Sequence, residues 1–305
     1  MNKVNQQVNF AGISMKNPVV VASGTYGVGR EYGQFYDLSE LGGICCKGLT
    51  LAPREGNPPP RVAETPMGIL NSVGLQNPGV DAFIAQELPE LRKHDVKIIA
   101  NISGNTPEEY GIMCQKLSDA GVDMIEVNVS CPNVKCGGLQ YGVVPEMTAE
   151  VTEVAKKHSS VPVMVKLSPN VTDITAIAKA VESAGADAVS LINTVRGMRI
   201  DVNTRRPILK MNTGGLSGPA VLPIAVRMVW EVANTVSIPV LGMGGIATGA
   251  DAAEMMLAGA SAVAVGTANF VDPYAPLQVR DELAAIAQRQ GLSSVTELTG
   301  GVLPW

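Results

Sequence analysis

The sequence predicts an α/β fold, a closed (β/α)8 TIM barrel that occupies residues 1–305 as one domain. Eight short apolar runs alternate with segments of helical periodicity, as in a parallel sheet covered by helices. Hydrophobic residues make up 46% of the chain and aromatic residues only 4%, so aliphatic side chains must build the core. Chains of this length commonly form one such barrel. An open doubly wound sheet is the alternative.

The first predicted element is a short N-terminal hairpin, because residues 4–15 alternate polar and apolar side chains around Gly12. A regular alternation of predicted buried strands and helical segments begins after it. The predicted barrel strands are residues 19–22, 43–46, 97–100, 124–127, 163–165, 188–192, 240–243 and 262–265.

Segments of helical period separate most of these strands. Examples are residues 107–120, 172–184 and 249–258. A faint repeat of Ala-Gly followed by Asp or Ser two positions later stands before three strands. Its glycines, Gly121, Gly185 and Gly259, are predicted to cap the preceding helices at their C-terminal ends.

Three connections are long, and each follows a predicted strand. They span residues 49–79, 131–146 and 195–218. All strands of such a barrel end at the same face, so these connections are predicted to be inserted loops on the C-terminal face, where barrels carry their sites. The residues that end the strands meet at that face: Ser23, Lys47, Asn101, Asn128, Lys166, Asn193, Thr194, Gly244, Gly245, Gly266 and Thr267.

This convergent set of lysines, asparagines, hydroxyls and glycines predicts a pocket for a planar, hydrogen-bonding, anionic ligand. The glycines after the seventh and eighth strands each lead into a helix, and bare N–H groups at helix starts bind phosphate. Their spacing is not Gly-x-Gly-x-x-Gly, so the sequence does not indicate a nicotinamide dinucleotide fold.

A thiol follows the fourth strand. Residues 128–138 read Asn-Val-Ser-Cys-Pro-Asn-Val-Lys-Cys-Gly-Gly and open into a loop that carries Cys131. A cysteine nucleophile usually has a histidine base, and no histidine lies near a strand end, so Cys131 is interpreted as a general acid/base. The alternative chemistry is a Schiff base on Lys166, as in a barrel aldolase. A barrel without catalytic activity would make the convergence of polar residues a coincidence.

Charge and composition exclude several classes of partner. The net charge is −5 and no basic cluster occurs, which argues against nucleic acid and anionic membranes as partners. No run of 18 apolar residues occurs and residues 1–7 lack an apolar signal core, so we expect a cytoplasmic protein. The five cysteines include no Cys-x-x-Cys pair, which fits reduced thiols and predicts no metal site. His94 and His158 are predicted to be surface residues.

Several motifs together resemble the dihydroorotate dehydrogenases over essentially the whole chain. They are Asn-Val-Ser-Cys-Pro-Asn at 128–133, Asn-Ser-Val-Gly-Leu-Gln-Asn at 71–77, Cys-Lys-Gly at 46–48 and Gly-Gly-Leu-Ser-Gly at 214–218. Within that family the chain resembles the class 1B, NAD-linked catalytic subunits. The supporting residues are Ala-Ser-Gly-Thr-Tyr-Gly at 22–27 and Asn193-Thr194 followed by Gly197-Met198-Arg199. The membrane-attached class usually has a serine base where this chain has Cys131.

The resemblance implies oxidation of (S)-dihydroorotate to orotate in de novo pyrimidine synthesis, with FMN in the barrel mouth. Flavin N5 would take the C6 hydride while Cys131 takes the C5 proton. Lys47 would lie between the flavin and the substrate carboxylate, and Lys166 would stabilise negative charge on the reduced flavin.

The resemblance also implies two sets of contacts. FMN would be lined by Ser23, Lys47, Gly48, Asn101, Asn128, Lys166, Ile192, Gly218, Gly244, Gly245, Gly266 and Thr267. The substrate would be held by Lys47, by the side chains of Asn71, Asn128, Asn133, Asn193 and Thr194, and by backbone N–H groups of Val73, Gly74 and Leu75.

Class 1B enzymes work with an iron-sulfur flavoprotein subunit that carries FAD and a [2Fe-2S] cluster and passes electrons to NAD. The resemblance therefore implies such a partner, with a homodimer of catalytic chains in a heterotetramer. A competing resemblance is to the flavin domain of dihydropyrimidine dehydrogenase, which would act on another dihydropyrimidine. That domain typically has His after Ser-Cys-Pro, whereas Asn133 here favours the carboxylated substrate.

Overall fold

A computed structural model describes residues 4–129, 141–303 and 305 of the chain. Within them, eight parallel strands close into a barrel, each bonded to the next in chain order and the eighth to the first. The barrel strands, numbered first to eighth below, are Val19–Val21, Gly43–Cys45, Lys97–Ile102, Met124–Asn128, Val163–Lys166, Ala188–Leu191, Val240–Met243 and Ala262–Val265. The predicted (β/α)8 fold is confirmed, since an open sheet would leave the first and eighth strands unpaired.

Apart from Lys97 at the start of the third strand, the barrel strands are buried along their length, because helices cover the outside and side chains fill the inside. Val19, Val20 and Val21 of the first strand have no exposed surface, and the fifth and eighth strands are equally buried. Strands buried on both faces read as continuous apolar runs. This explains why the predicted strands differ from the observed ones by at most two residues at either end.

Two short 3₁₀ turns, Tyr32–Gln34 and Leu38–Glu40, join the first and second barrel strands, and α-helices occur in the later connections. Their bounds are Val80–Ala82, Leu88–Leu91, Pro107–Ala120, Pro145–Lys157, Ile174–Ser183, Leu222–Ala233, Gly249–Leu257, Ala268–Val271 and Ala275–Arg289. The helix Pro107–Ala120 begins at Thr106, whose side chain accepts a hydrogen bond from the Glu109 N–H, and ends at left-handed Gly121. Gly185 and Gly259 follow their helices with φ of +89° and +118°. None of the helices in the described ranges is long and apolar enough to cross a membrane.

The predicted hairpin is present as two antiparallel strands, Val8–Phe10 and Ile13–Met15. Ala11 and Gly12 turn the chain with positive φ values of 50° and 82°. The hairpin buries Val8, Phe10 and Met15 in the main hydrophobic core, so it packs as part of the barrel.

The inserted connections hold an element that the sequence analysis missed. Two of them contribute strands to one antiparallel sheet, which we call the covering sheet; its order is Val62–Thr65, Gly68–Asn71, Gly214–Ser217 and Val195–Gly197. These strands are three or four residues long and rich in glycine, so they carry no strand signal of their own. The third connection, residues 131–146, lies mostly outside the described residues.

Candidate functional site

A cavity of about 510 Å³ lies at the C-terminal ends of the barrel strands, beneath the covering sheet. All eight barrel strands contribute residues to its wall, from their last positions or from the residues just after them. The covering sheet contributes Ile69, Asn71 and Ser217 from the opposite side. The volume is in the range of sites for small organic ligands.

Every predicted site residue that the structure describes lines this cavity. They are Ser23, Lys47, Gly48, Asn71, Val73, Gly74, Leu75, Asn101, Asn128, Lys166, Ile192, Asn193, Thr194, Gly218, Gly244, Gly245, Gly266 and Thr267. Cys131 and Asn133 lie outside the described residues. The predicted convergence is therefore observed, while the binding role of each residue stays a prediction.

Several lining residues were missed by the sequence analysis. Val62, Glu64 and Ser217 belong to the covering sheet, which was not predicted. Phe270 lines the cavity from the short helix after Thr267 and remains 58% exposed. The one sequence feature that could have indicated Phe270 as a cavity residue is its position, one helical turn after Gly266 at the end of the eighth strand.

Carboxamides at the ends of the fourth and sixth strands orient one another across the fifth. Asn193 Nδ2 donates to Asn128 Oδ1 over 3.3 Å, and Asn193 Oδ1 accepts the Thr194 N–H over 2.8 Å. The Asn128 backbone carbonyl accepts from the buried Tyr110 hydroxyl over 3.0 Å. This wall of the cavity therefore offers pre-oriented donors and acceptors, which suit the edge of a planar polar ring.

The paired glycines of the covering sheet permit its close approach to this wall. A Cβ atom on Gly215 would lie 1.9 Å from Thr194 Oγ1, and one on Gly214 would lie 2.6 Å from the Asn71 carbonyl oxygen. Neither position can carry a larger side chain without displacing the sheet. These contacts explain why glycine occupies both positions 214 and 215.

Residues Val73, Gly74 and Leu75 form an irregular backbone segment that lines the cavity. Gly74 and Leu75 both have left-handed φ values, +77° and +58°, and Asn57 holds the turn through its N–H to the Val73 carbonyl at 2.9 Å. The N–H groups of the three residues find no acceptor among the described residues. Consecutive N–H groups without an internal acceptor are the kind of donor set that binds anions, and the predicted carboxylate contact of these residues stays a prediction.

The loop after the seventh strand differs from the expectation of bare N–H groups at the helix start. The N–H groups of Ala247 and Thr248 donate to the Asp251 carboxylate at 2.9 and 2.8 Å, and the Gly249 N–H donates to Glu282 at 2.6 Å. Asp251 and Thr248 form a capping box. The start of this helix is therefore already satisfied by acidic side chains.

The free backbone N–H groups of these loops lie directly after the seventh and eighth strands, before the following helices begin. The described residues provide no acceptor for the N–H groups of Gly245, Gly266 and Thr267, all of which line the cavity. Gly245 has φ of +85°, a conformation that glycine adopts without strain. An anion at this end of the cavity would meet these N–H groups rather than the following helix.

A buried polar cluster lies below the cavity. Glu126, fully buried on the fourth strand, accepts hydrogen bonds from Ser190 Oγ at 2.7 Å and from Asn101 Nδ2. It also accepts from Cys45 Sγ at 3.1 Å. Burial and, secondarily, the Glu126 charge raise the pKa of the Cys45 thiol well above its usual value, so Cys45 remains protonated.

This fold and cavity define a class: a (β/α)8-barrel protein with a cavity at its C-terminal face that is lined by lysines, carboxamides and free backbone N–H groups. The family model described as dihydroorotate dehydrogenase matches residues 5–287. The chain therefore belongs to the dihydroorotate dehydrogenase family.

Curated relatives match nearly the full chain. A protein of Alkaliphilus metalliredigens named "Dihydroorotate dehydrogenase B (NAD(+)), catalytic subunit" is 54% identical over 302 residues, 99% of this chain and 100% of its own length. A protein of the same name from Geobacillus kaustophilus is 57% identical over 294 residues, 96% of this chain and 94% of its own. A solved structure described as the DHODH of Eimeria tenella in complex with ferulenol shares the fold with a TM-score of 0.84. It is 22% identical and covers 97% of this chain and 88% of that one.

Proposed function

We propose that this chain is the catalytic subunit of an NAD-linked dihydroorotate dehydrogenase that oxidises (S)-dihydroorotate to orotate in pyrimidine synthesis. The observation that carries the proposal is the near-full-length similarity to proteins of that name, at 54% and 57% identity. The cavity supports it independently, because its residue types match the edges of a carboxylated pyrimidine ring.

The family implies FMN, and the cavity fits that cofactor. The free N–H groups of Gly245, Gly266 and Thr267 suit its phosphate. Asn101 lines the cavity, and its Oδ1 is buried without a partner among the described residues, so this oxygen would accept from a ring N–H of the cofactor. A Cβ atom on Gly48 would lie 2.7 Å from this oxygen, so glycine keeps the neighbouring wall flat. FMN, when bound, supplies the acceptor for the hydride from C6 of dihydroorotate.

A second set of cavity residues, from the strand ends and from the covering sheet, suits the substrate. Asn71, Asn128, Asn193 and Thr194 would pair with the amide edges of the pyrimidine ring. The N–H groups of residues 73–75 would hold the carboxylate, with Lys47 adding a positive charge. Holding both edges fixes the C5–C6 bond relative to the cofactor and to the base.

The base in this proposal is Cys131, as the thiolate that accepts the C5 proton. The proposal for Cys131 rests on the sequence motif alone, since residues 130–140 lie outside the described part of the chain. Its neighbour Asn128, at the end of the fourth strand, lines the cavity. Cys131 follows this cavity residue by three positions in the sequence.

The electron acceptor in this proposal is NAD, reached through a partner subunit with FAD and a [2Fe-2S] cluster. Support comes from the words "NAD(+)" and "catalytic subunit" in the names of the relatives. The proposed assembly contains a homodimer of catalytic chains within a heterotetramer, in the cytoplasm.

The Schiff-base alternative is disfavoured by the surroundings of Lys166. Its Nζ lies 4.0 Å from the fully buried Glu126 carboxylate. Attack on a carbonyl would require Lys166 as the neutral amine, which would leave that carboxylate without a counter-charge inside the barrel, and this is costly.

Steady-state turnover with a soluble dye as electron acceptor tests the proposed substrate. Dihydroorotate should support dye reduction, and dihydrouracil, which lacks the carboxylate, should support little. Equal turnover with both substrates would show that the chain acts on dihydropyrimidines without recognising the carboxylate.

A further inference from the structure

The buried carboxylate of Glu126 has no part in the chemistry described above. It lies in the barrel interior with 0% exposure and does not line the cavity. Its neighbours in the cluster come from the second, third, fifth and sixth strands, so it stands at the centre of the barrel interior. Burying an ionised carboxylate is expensive unless charge and hydrogen bonds compensate it.

Within the described residues, the compensation comes from three hydrogen bonds and one cation. Ser190 and Cys45 contribute neutral donors, at 2.7 and 3.1 Å. Asn101 donates from the cavity wall. Lys166 supplies the positive charge, with Nζ 4.0 Å from Oε2 and only 7% of its side chain exposed.

Lys166 connects this cluster to the cavity. It lines the cavity, while its counter-charge stands behind it and away from the ligand. Solvent and salt screen a pair this deeply buried only weakly. A ligand in the cavity therefore experiences the positive charge of Lys166 reduced by the negative charge of Glu126 behind it.

We propose that Glu126 is a positioning residue that lowers the reduction potential of the bound flavin by balancing the charge of Lys166. The proposal rests on the proposed function, since it requires FMN in this cavity. Two-electron reduction makes bound flavin more negative, so an uncompensated cation favours the reduced form and a buried anion opposes it. The pair then keeps the flavin reducing enough to pass electrons onward.

The test uses substitutions with opposite expected signs. Glu126→Gln keeps the side-chain shape and removes the negative charge, so the flavin potential should rise. Lys166→Met removes the positive charge and should lower it. A tenfold change in the relative affinity for reduced and oxidised FMN corresponds to about 30 mV for a two-electron couple, and each variant should shift by at least that much. The potential is measured by anaerobic equilibration with reference dyes.

Two further variants separate charge from structure. The double variant Glu126→Gln with Lys166→Met removes both charges and should return close to the wild-type potential. Ser190→Ala removes one hydrogen bond to Glu126 but no charge, and should shift the potential much less than Glu126→Gln. If the role of Glu126 were merely structural, these variants would be less stable, and Glu126→Gln and Lys166→Met would not shift the flavin potential in opposite directions.

The outcomes are distinguishable. If Glu126→Gln binds FMN and the flavin potential is unchanged or lowered, the proposal is overturned while the proposed function remains intact. If Lys166→Met does not retain FMN, the comparison of Glu126→Gln with the charge-conserving Glu126→Asp decides, because only the former should raise the potential. A wild-type chain that binds no FMN would overturn both proposals.

Discussion

Substitution of Gly266 should remove FMN while leaving the fold intact. Gly266 follows the eighth strand and offers a free N–H to the cavity. A Cβ atom there would meet Ala22 Cβ at 3.5 Å and Thr25 Cγ2 at 3.9 Å, which are ordinary contacts, and its φ is not left-handed. Gly266→Val therefore fits the backbone. Its branched side chain would occupy space beside the phosphate-binding N–H groups.

The expected magnitude follows from the hydrogen bonds between these N–H groups and the phosphate. A hydrogen bond to a charged group contributes about 1.5 to 3 kcal/mol, so breaking two would weaken FMN binding by about 3 to 6 kcal/mol. This corresponds to an increase of about 140- to 20,000-fold in Kd. Titration of the flavin-free protein with FMN, followed by quenching of flavin fluorescence, measures it.

Gly245 is a poorer position for this test. Its φ is +85°, and a Cβ atom would lie 2.7 Å from the Leu222 nitrogen, so a substitution should also destabilise the fold. Gly33→Val serves as the matched control for Gly266→Val. Gly33 is exposed and does not line the cavity, and a Cβ atom added there would lie at least 3.8 Å from its nearest neighbour. Folded Gly266→Val that binds FMN as tightly as Gly33→Val would refute the phosphate assignment.

Three further predictions concern the base, the partner and the covering sheet. Cys131→Ala should slow flavin reduction by dihydroorotate about 100- to 10,000-fold in stopped-flow experiments, the usual effect of a positioned base. The wild-type rate should rise with pH as the thiol ionises, around its ordinary pKa of about 8.5, and near-normal reduction by Cys131→Ala would move the base to another group, with Lys47 next. The isolated chain should reduce its flavin with dihydroorotate but transfer electrons poorly to NAD; NAD reduction as fast as flavin reduction would show that no partner is needed. Gly215→Ala should lower the free energy of unfolding by about 1 to 3 kcal/mol and weaken orotate binding, because its Cβ would lie 1.9 Å from Thr194 Oγ1; unchanged melting and binding would contradict this contact.

The barrel and its cavity were predictable because each depends on local pattern. Buried parallel strands are apolar runs, and the closing topology brings their last residues together, so strand-end positions such as Lys47, Asn128 and Thr267 could be assigned to one site without further information.

The covering sheet could not be predicted in the same way. Its central pair joins Asn71 to Gly215, 144 residues apart, and the pairing is favoured by close backbone approach rather than by strand-forming side chains. The role of Glu126 was not predicted either. A charged residue within the apolar run of the fourth strand indicates a buried polar cluster, but its partners Ser190 and Cys45 could not be identified. They lie on other strands, and only the register of the closed barrel determines which residues of those strands face Glu126.

Anaerobic addition of dihydroorotate to the purified chain tests the central claim most directly. The account predicts a yellow protein with the visible spectrum of oxidised flavin, which bleaches on addition of dihydroorotate as orotate appears in equal amount to the flavin reduced. A colourless chain, or a flavin that dihydroorotate leaves oxidised, would contradict the proposed function.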